Sequence, residues 1–459
     1  MNKPQIADSI IKNDLCIGCG LCVYACPSEA LKMNWSEYGF LIPEQSNACD
    51  SSGDCLTVCP FNPFPEKEVR TENELADIFL ENAQRHHPKI GKYNAIYAGY
   101  ANKYRLTSSS GGIGTFIFTE LLANGLVDYV YSVKESKGHN SHYEYAISSS
   151  EQELLQASKT KYYPVTLSEV MSEIKNLDGK VAIVGVACFI KAIRLAQYKD
   201  PILKEQIPFL VGIICGGIKS NFFSEYLASK MGVEKQNIRN PQFRIKDLKS
   251  TAGDYSYGCI DKSNNQKRQI KMRSVGDMWG TGIFKANACD FCDDVTTELA
   301  DISLGDAWIP PYNKDGQGTS IIVTRSPIAD QLIKSGIKNR TLTVEPLELN
   351  SFLASQQGSF NHRHLGLWER IKQAQKNKLL TPPKRTVEDK ITIDFKIVQK
   401  LRMKVRRKSL ESWKISPNAI DFDRDMKTSL TKLRKATQIN HLRKKIMKRV
   451  NIILGNRTI

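Results

Sequence analysis

Apolar positions in the middle of the chain follow two alternating periods. "YNAIYAGYA", "LVDYVYSV", "KVAIVGVA" and "IPFLVGIIC", between Tyr93 and Cys215, are apolar runs of strand length. Between them, "GGIGTFIFTELLANG" and "CFIKAIRLAQYK" carry helical spacing. The strand–helix–strand succession over 180–215 predicts parallel pairing through a crossover helix. "TSIIVTRS" and "RTLTVEPL" add two further strands within 319–347. The fold class expected is an α/β region whose sheet is parallel or mixed and contains βαβ units. Upstream, "EKEVRTENELADIFLENAQRHHPKIGK" (66–92) reads as a polar, helical connector, and "FNPFP" punctuates its start. Downstream, the stretch from 384 to 459 predicts a helical tail. There Leu442, Ile446, Val450 and Ile453 step by four, four and three along one helical face.

No apolar run approaches the roughly 18 residues of a spanning helix, and the first 14 residues have no apolar core of the secretory kind. A cytoplasmic protein is expected. With 459 residues, 41% hydrophobic and 25% charged, the chain is long enough for several soluble domains. The net charge of +17 changes this picture only at the end. From Lys384 onward there are 22 Lys and Arg against 7 Asp and Glu, so the tail holds nearly all the excess and the rest of the chain is close to neutral. The basic charge therefore says little about the chemistry upstream. A basic amphipathic tail suits an anionic membrane surface, a protein partner, or packing on the body. Nucleic acid is the poorer expectation, because nothing upstream resembles a base-reading module.

Twelve cysteines without an export signal point to metal rather than disulfides, and seven of them fall between Cys16 and Cys59. "CIGCGLCVYACP" supplies Cys16, Cys19, Cys22 and Cys26 in the C-x2-C-x2-C-x3-C-P run of bacterial ferredoxins, where the fourth thiolate serves the neighbouring cluster. "CDSSGDCLTVCP" repeats that run with Ser52 in the second cysteine position. The crossed arrangement assigns Cys16, Cys19, Cys22 and Cys59 to one 4Fe-4S cluster, and Cys26, Cys49 and Cys55 to a second. The second is expected as a 3Fe-4S cluster, an oxygen-ligated 4Fe-4S cluster, or an empty site, with Ser52, Asp50 and Asp54 as the local oxygen donors. Zinc is the alternative metal, since paired CxxC also builds zinc sites. Farther on, Cys188 and Cys215 each follow a buried-looking strand, and "CDFC" offers Cys289 and Cys292. These four could form a third thiolate site at the carboxyl edge of a sheet, with Cys259 left over. They could equally be small buried hydrophobes.

"SSSGG" immediately precedes a helix. Hydroxyls, free N–H groups and the positive helix end converge there on a point suited to pyrophosphate. The plainer alternative is a serine-capped helix. No GxGxxG follows a strand, so a nicotinamide site is not indicated.

At "SSSGGIGTFIFTELLANGLVDYV", "GVACFIKAI", "VGIICGGIKS" and "CDFCDDVTTELADISLGDAW" the chain resembles the beta subunit family of coenzyme F420 hydrogenases and dehydrogenases, over about residues 10–345. The ferredoxin-type extension is one that many members carry. The resemblance implies an iron–sulfur flavoprotein that moves electrons between clusters and FAD. Its soluble redox partner would be deazaflavin coenzyme F420 or reduced ferredoxin. It further implies that Cys188, Cys215, Cys289 and Cys292 hold a cluster near the flavin. Ser108, Ser109, Ser110, Gly111 and Gly112 become FAD candidates, with Lys159 and Lys161 as phosphate partners. Asp301, Gly305 and Asp306 would line the flavin or cluster wall, or else form a polar turn. Where the family commonly has G-T-P-C and C-H-G, this chain has Gly185-Val186-Ala187-Cys188 and Cys215-Gly216-Gly217, which puts details of the flavin pocket in doubt.

The expected organisation is a small α+β ferredoxin-type domain (1–65), a linker (66–92), an FAD-binding part (93–175), a part with the third cluster (176–350), and the basic tail (384–459). The expected function is that of a cytoplasmic iron–sulfur flavoprotein oxidoreductase, peripheral at the inner membrane face if the tail binds lipid. Two rivals are an electron-transfer subunit without its own substrate and a zinc-stabilised interaction protein. Among His139, His142, Asp306, Tyr162 and Tyr163, none stands out as a general acid or base.

Overall fold

The computed structural model describes residues 5–138 and 140–453; His139 lies outside them. Its centre is an eight-stranded mixed sheet. The strands are β5 (Ala95–Ala101), β6 (Tyr129–Glu135), β7 (Tyr143–Ser148), β8 (Val181–Val186), β9 (Phe209–Ile213), β13 (Ile302–Asp306), β14 (Ser320–Thr324) and β15 (Leu342–Pro346), in the order β15-β5-β14-β13-β9-β8-β6-β7. The four central strands β13, β9, β8 and β6 run parallel, and both flanks are antiparallel. "VAIVGV" and "FLVGI" are apolar throughout because central parallel strands are covered on both faces. The crossover helix Ala187–Lys199 joins β8 to β9. Parallel strands end at one edge, so Val186, Ile213 and Asp306 share the carboxyl edge where ligands of α/β sheets gather.

"ADISLGDAW" is therefore a central strand rather than a polar turn. Asp301, just before β13, is buried against Arg194 (3.1 Å) and accepts from the Leu210 N–H (2.9 Å), so it holds the sheet and not a cofactor. A separate antiparallel meander, β10 (Ile238–Ile245), β11 (Ser256–Asp261) and β12 (Gln266–Lys271), had no expectation in the sequence and stands beside the same edge.

The amino-terminal unit holds a hairpin, β1 (Leu31–Trp35) with β2 (Leu41–Gln45), and two cysteine loops that each lead into a four-residue helix. It is fastened to the sheet domain: one apolar core runs from Leu15, Leu21 and Val58 to Ile183, Ile190 and Leu210. Gly20 is required at its position, since a Cβ there would meet the Ser168 backbone nitrogen at 2.7 Å.

The connector is only partly helical. A capping box at Thr71 and Glu74 starts the helix Glu72–Phe79. It stops at Leu80, and a short hairpin follows, β3 (Arg85–His87) with β4 (Gly91–Tyr93), turned at Pro88.

The tail is helical, Ile393–Ile415 and Ala419–Ile453, but its first half is not a detached basic appendage. Trp413 is buried and its indole N–H donates to Glu225 (2.9 Å). Lys384 pairs with Asp293 (3.0 Å), Arg385 with Glu298, and Arg406 with Asp290 (3.0 Å), all inside the body. The expectation that tail charge is silent about upstream chemistry is thus corrected. Burying a carboxylate requires a partner, and the tail supplies the partners.

Candidate functional site

Three sets of thiols assemble, each from different elements. Cys22 lies close enough to Cys19, Cys16 and Cys59 for their charges to act on it, and Cys59 feels Cys19 and Cys16 in turn. Burial pushes the Cys16 thiol up to about 12 and the Cys19 thiol up to about 11. Such thiols stay protonated unless a metal displaces the proton. The second set is Cys55 with Cys26 and Cys49 within reach of its charge. The third set joins Cys188, in the first turn of the crossover helix, to Cys215 after β9 and to Cys289 and Cys292 of "CDFC". Cys188 and Cys215 meet because β8 and β9 are parallel neighbours. Cys259 sits in β11, in another core.

The third set is surrounded by donors, although among the described residues no three metal-ligating side chains are drawn together as around a single metal ion. Gly217 N–H donates to Cys215 Sγ (3.2 Å) and Ile218 N–H to Cys289 Sγ (3.2 Å). Arg363, buried on the five-residue turn Asn361–Leu365, donates from Nη1 to Cys292 Sγ (3.0 Å) and from Nη2 to the Cys215 carbonyl (2.7 Å). The thiolates hold its pKa above the ordinary arginine value against the pull of burial. A donor set of four thiols with N–H groups on the sulfurs and a buried cation suits an anionic iron–sulfur cluster. Around it, Lys285 and Arg406 hold the Asp290 carboxyl down at about 2 although burial alone would raise it. Lys384 and Arg385 likewise hold Asp293 down against burial.

The first and third sets adjoin. The charge of Cys19 reaches Cys188, and the buried Tyr145 ring is within reach of both. The second set neighbours the first, since the charge of Cys55 reaches both Cys22 and Cys59.

Along the carboxyl edge of the sheet runs a cavity of about 790 Å3, lined by Ile17 of the first cysteine loop and by Cys215, Gly216 and Gly217 of the third set. Ser108, Ser109, Ser110, Gly112, Lys159, Lys161 and Asp306 all line it. Gly111 instead supports the loop from behind, its N–H donating to Ser320 Oγ (3.0 Å). The helix Ile113–Ala123 is not serine-capped: its N-cap is Gly112 at φ 79°, with no side-chain cap. Ser109 Oγ accepts from the Thr160 N–H (2.9 Å), while Ser108 Oγ and Ser132 Oγ, both buried and both on the cavity wall, have no partner among the described residues. Buried hydroxyls are ordinarily satisfied, so these two fit a ligand with polar atoms.

Asp306 is not free for proton transfer. Arg244 clamps both of its oxygens (2.6 and 2.8 Å) and stacks over Tyr255 and Trp308 at 4.8 and 5.5 Å. Tyr162, near enough to Arg244 for their charges to interact, packs edge-on to Trp279 (4.7 Å) on the cavity wall. Tyr163 also lines the cavity; His142 packs edge-on to its ring (5.5 Å) and is not among the lining residues. Burial, with Lys159 nearby, pulls Lys161 down to about 7, and burial does the same to Lys219.

Sequence reasoning missed Arg363, Arg244, Lys219 and Ser132. Arg363 lies in "NHRHLGLWER", outside every assigned domain; a basic stretch with helical apolar spacing was the only signal there.

Three family descriptions match the chain: "Coenzyme F420 hydrogenase/dehydrogenase, beta subunit N-term" over residues 96–172, the corresponding C terminus over 178–350, and "4Fe-4S dicluster domain" over 15–62. The chain is 24% identical over 331 residues to a coenzyme F420-dependent sulfite reductase of Methanocaldococcus jannaschii, covering 69% of this chain but only 45% of that protein. It is 28% identical over 231 residues to the coenzyme F420 hydrogenase subunit beta of Methanococcus voltae, covering 48% of this chain and 74% of the relative. A ferredoxin of Pyrobaculum islandicum is 41% identical over 67 residues, 15% of this chain and 60% of that one. The fold is shared with a chain of the F420-reducing [NiFe] hydrogenase complex from Methanosarcina barkeri, at TM-score 0.50 and 17% identity over 65% of this chain and 99% of that one.

Proposed function

Because the chain belongs to the coenzyme F420 hydrogenase/dehydrogenase beta subunit family, we propose that it is an iron–sulfur flavoprotein oxidoreductase. The ferredoxin-type thiol sets and the Cys188–Cys215–Cys289–Cys292 set would hold the iron–sulfur clusters that exchange single electrons with FAD, and the cavity would hold the FAD. A soluble partner, deazaflavin or reduced ferredoxin, supplies or takes the electrons. One observation carries this reading: a single cavity is bordered by Ile17 of the first cysteine loop and by Cys215 of the third set. FAD supplies the exchange between single electrons and electron pairs. The chain contributes the rest. Ser108, Ser132 and the Gly112 helix end offer donors to the pyrophosphate, Lys159 and Lys161 its countercharge, and the Tyr162 and Trp279 wall an apolar face.

The test is anaerobic purification with iron, zinc, sulfide and flavin quantitation, followed by mixing with reduced ferredoxin or reduced deazaflavin. Flavin that becomes reduced with either donor is the expected result. Bound zinc without iron, or flavin that stays oxidised with both donors, would sink the proposal.

Lys161 gives this reading a pH signature. With its ammonium pulled down to about 7, it is largely neutral above that pH, and a bound pyrophosphate would restore its proton. FAD binding therefore takes up a proton above pH 7 and none below it. Affinity is expected to be flat below pH 7 and to fall by up to about tenfold per pH unit above it. Titration calorimetry of the flavin-stripped protein at pH 6 to 9 checks this, and Lys161→Gln should abolish the slope.

The far half of the last helix has its own role in the proposal. From Met426 to the end there are 10 Lys and Arg and no Asp or Glu. Leu442, Ile446 and Val450 are exposed along one face; the side chain of Ile453 lies outside the described residues. No helix of the described residues is long and apolar enough to cross a membrane. The stripe instead suits the surface of an anionic bilayer, where apolar and cationic contributions add. Co-sedimentation with phosphatidylserine vesicles is expected at low salt, with little on neutral vesicles. Ile446→Asp should abolish it without touching the cofactors; binding that survives would argue against the apolar stripe.

A further inference from the structure

The two amino-terminal cysteine loops share one backbone plan although one of them lacks a thiol. In the first, Gly18 (φ 76°) and Gly20 (φ 83°) are left-handed, and the Gly18 N–H donates to Cys16 Sγ at 3.4 Å. In the second, Ser51 (φ 65°) and Gly53 (φ 83°) hold the same two places, and the Ser51 N–H donates to Cys49 Sγ at 3.3 Å. A left-handed conformation is uncommon for serine, so the loop as a whole, and not a permissive glycine, imposes it. Ser52 thus stands in the second loop where Cys19 stands in the first. Its surroundings differ in one respect: Cys19 is buried, whereas Ser52 is exposed together with Asp50 and Asp54. The Asp50 carboxylate accepts the Ser52 N–H (3.0 Å), which places carboxylate oxygens at that corner.

Resting on the reading that Cys26, Cys49 and Cys55 hold an iron–sulfur centre, we infer that this centre has one corner open to solvent at Ser52, where a divalent metal ion enters and leaves. Three thiolates anchor three irons. The fourth corner meets only oxygen donors, from Ser52, Asp50, Asp54 and water, which lack the thiolate's preference for the metals of sulfur sites. Uptake balances without any oxidant or reductant: the reduced three-iron core [3Fe–4S]0 combines with Fe2+ to give [4Fe–4S]2+. Another divalent ion such as Zn2+ adds in the same way and yields a mixed-metal core. The charge of Cys19, in the first thiol set, reaches Cys188, and the exchangeable corner belongs to the set next to that one.

The experiment uses the full-length protein, purified anaerobically, with electron paramagnetic resonance and metal counting as readouts. A three-iron centre is paramagnetic when oxidised, whereas [4Fe–4S]2+ is silent. The oxidised wild type is expected to show that signal. Reduction with dithionite, addition of Fe2+ and removal of the excess should abolish it, with a gain of one iron per chain. Zn2+ in place of Fe2+ should leave one zinc bound per chain. The exposed substitution Ser52→Cys should start without the signal and take up neither ion. A wild type that is silent when oxidised and takes up neither ion overturns the inference. Cys55→Ala then separates the two levels of the argument. If it loses about four irons, the centre exists and is closed, and only the open corner is wrong. If its iron content equals that of the wild type, the second set holds no cluster and the underlying reading fails there as well.

Discussion

In the proposed electron route, Cys188→Ala is expected to stop transfer between the ferredoxin-type centres and the proposed FAD while leaving both ends intact. Cys188 contributes one of four thiols to the third set and is the member within reach of Cys19. Alanine suits its place in the first turn of a helix, so the fold should survive. The protein should lose about four irons per chain, keep its ferredoxin-type signal on reduction, and retain FAD. Stopped-flow reduction of the flavin by reduced ferredoxin should slow by more than the roughly 10- to 100-fold that loss of a mere outer-shell partner costs. Flavin reduced at the wild-type rate would mean that electrons bypass this set, and that the adjacency of Cys19 and Cys188 has no role in transfer.

Arg363→Gln should act on the same centre without removing a ligand. The guanidinium is buried and donates to Cys292 Sγ and to the carbonyls of Cys215 and Asp294, all on the loops that carry the thiols. A nearby positive charge favours the more negative, reduced form of a cluster. Its removal should therefore lower the potential of the third centre. A charge-assisted hydrogen bond is worth roughly 1.5–3 kcal/mol, which for one electron corresponds to a downward shift of up to on the order of 100 mV. Cluster retention should fall roughly 10- to 100-fold. Lysine at this position keeps the charge but not the fork that reaches a sulfur and two carbonyls, so Arg363→Lys should restore most of the potential and less of the retention. Redox titration followed by paramagnetic resonance separates the two effects. An unchanged potential in the glutamine variant would leave Arg363 a packing residue.

Both predictions concern residues that differ greatly in how far they could be read from the chain. The strands and the crossover helix were legible because each repeats its apolar period within ten or so residues. "VAIVGV" needs no partner to announce a buried strand. The first cysteine run was equally plain, since three of its thiols lie within seven residues and the spacing itself is the signal. The β10–β12 meander was not legible: "QKRQIK" is exposed along most of its length and carries no alternation. The connector was read too simply, because one capped turn at Thr71 dominates its pattern while a hairpin with three-residue strands has no room for a period.

The acid–base candidates show the same division. Asp306 was visible as a polar residue downstream of "CDFC", but nothing near it in sequence announces Arg244, which claims both of its oxygens. The tail misled for a related reason. A run of lysine and arginine reads as a solvated surface unless one knows that Asp290, Asp293 and Glu298 lie buried beneath it.

By itself the sequence determined the thiol spacings, the strand and helix stretches, the glycine that begins the helix at Ile113, and the basic excess at the end. These are short-range properties, set by dihedral preference and apolar periodicity within a few turns of chain. Tertiary structure alone decided which thiols meet across 27 to 104 residues, because that depends on β8 and β9 lying side by side. It also decided that Cys19 adjoins Cys188, and that Arg363 points at a sulfur. Burial in a common core brings these groups together, and a buried charge must find its partner wherever in the chain that partner lies. For that reason the thiol spacings were readable in advance and the neighbours each thiol finds were not.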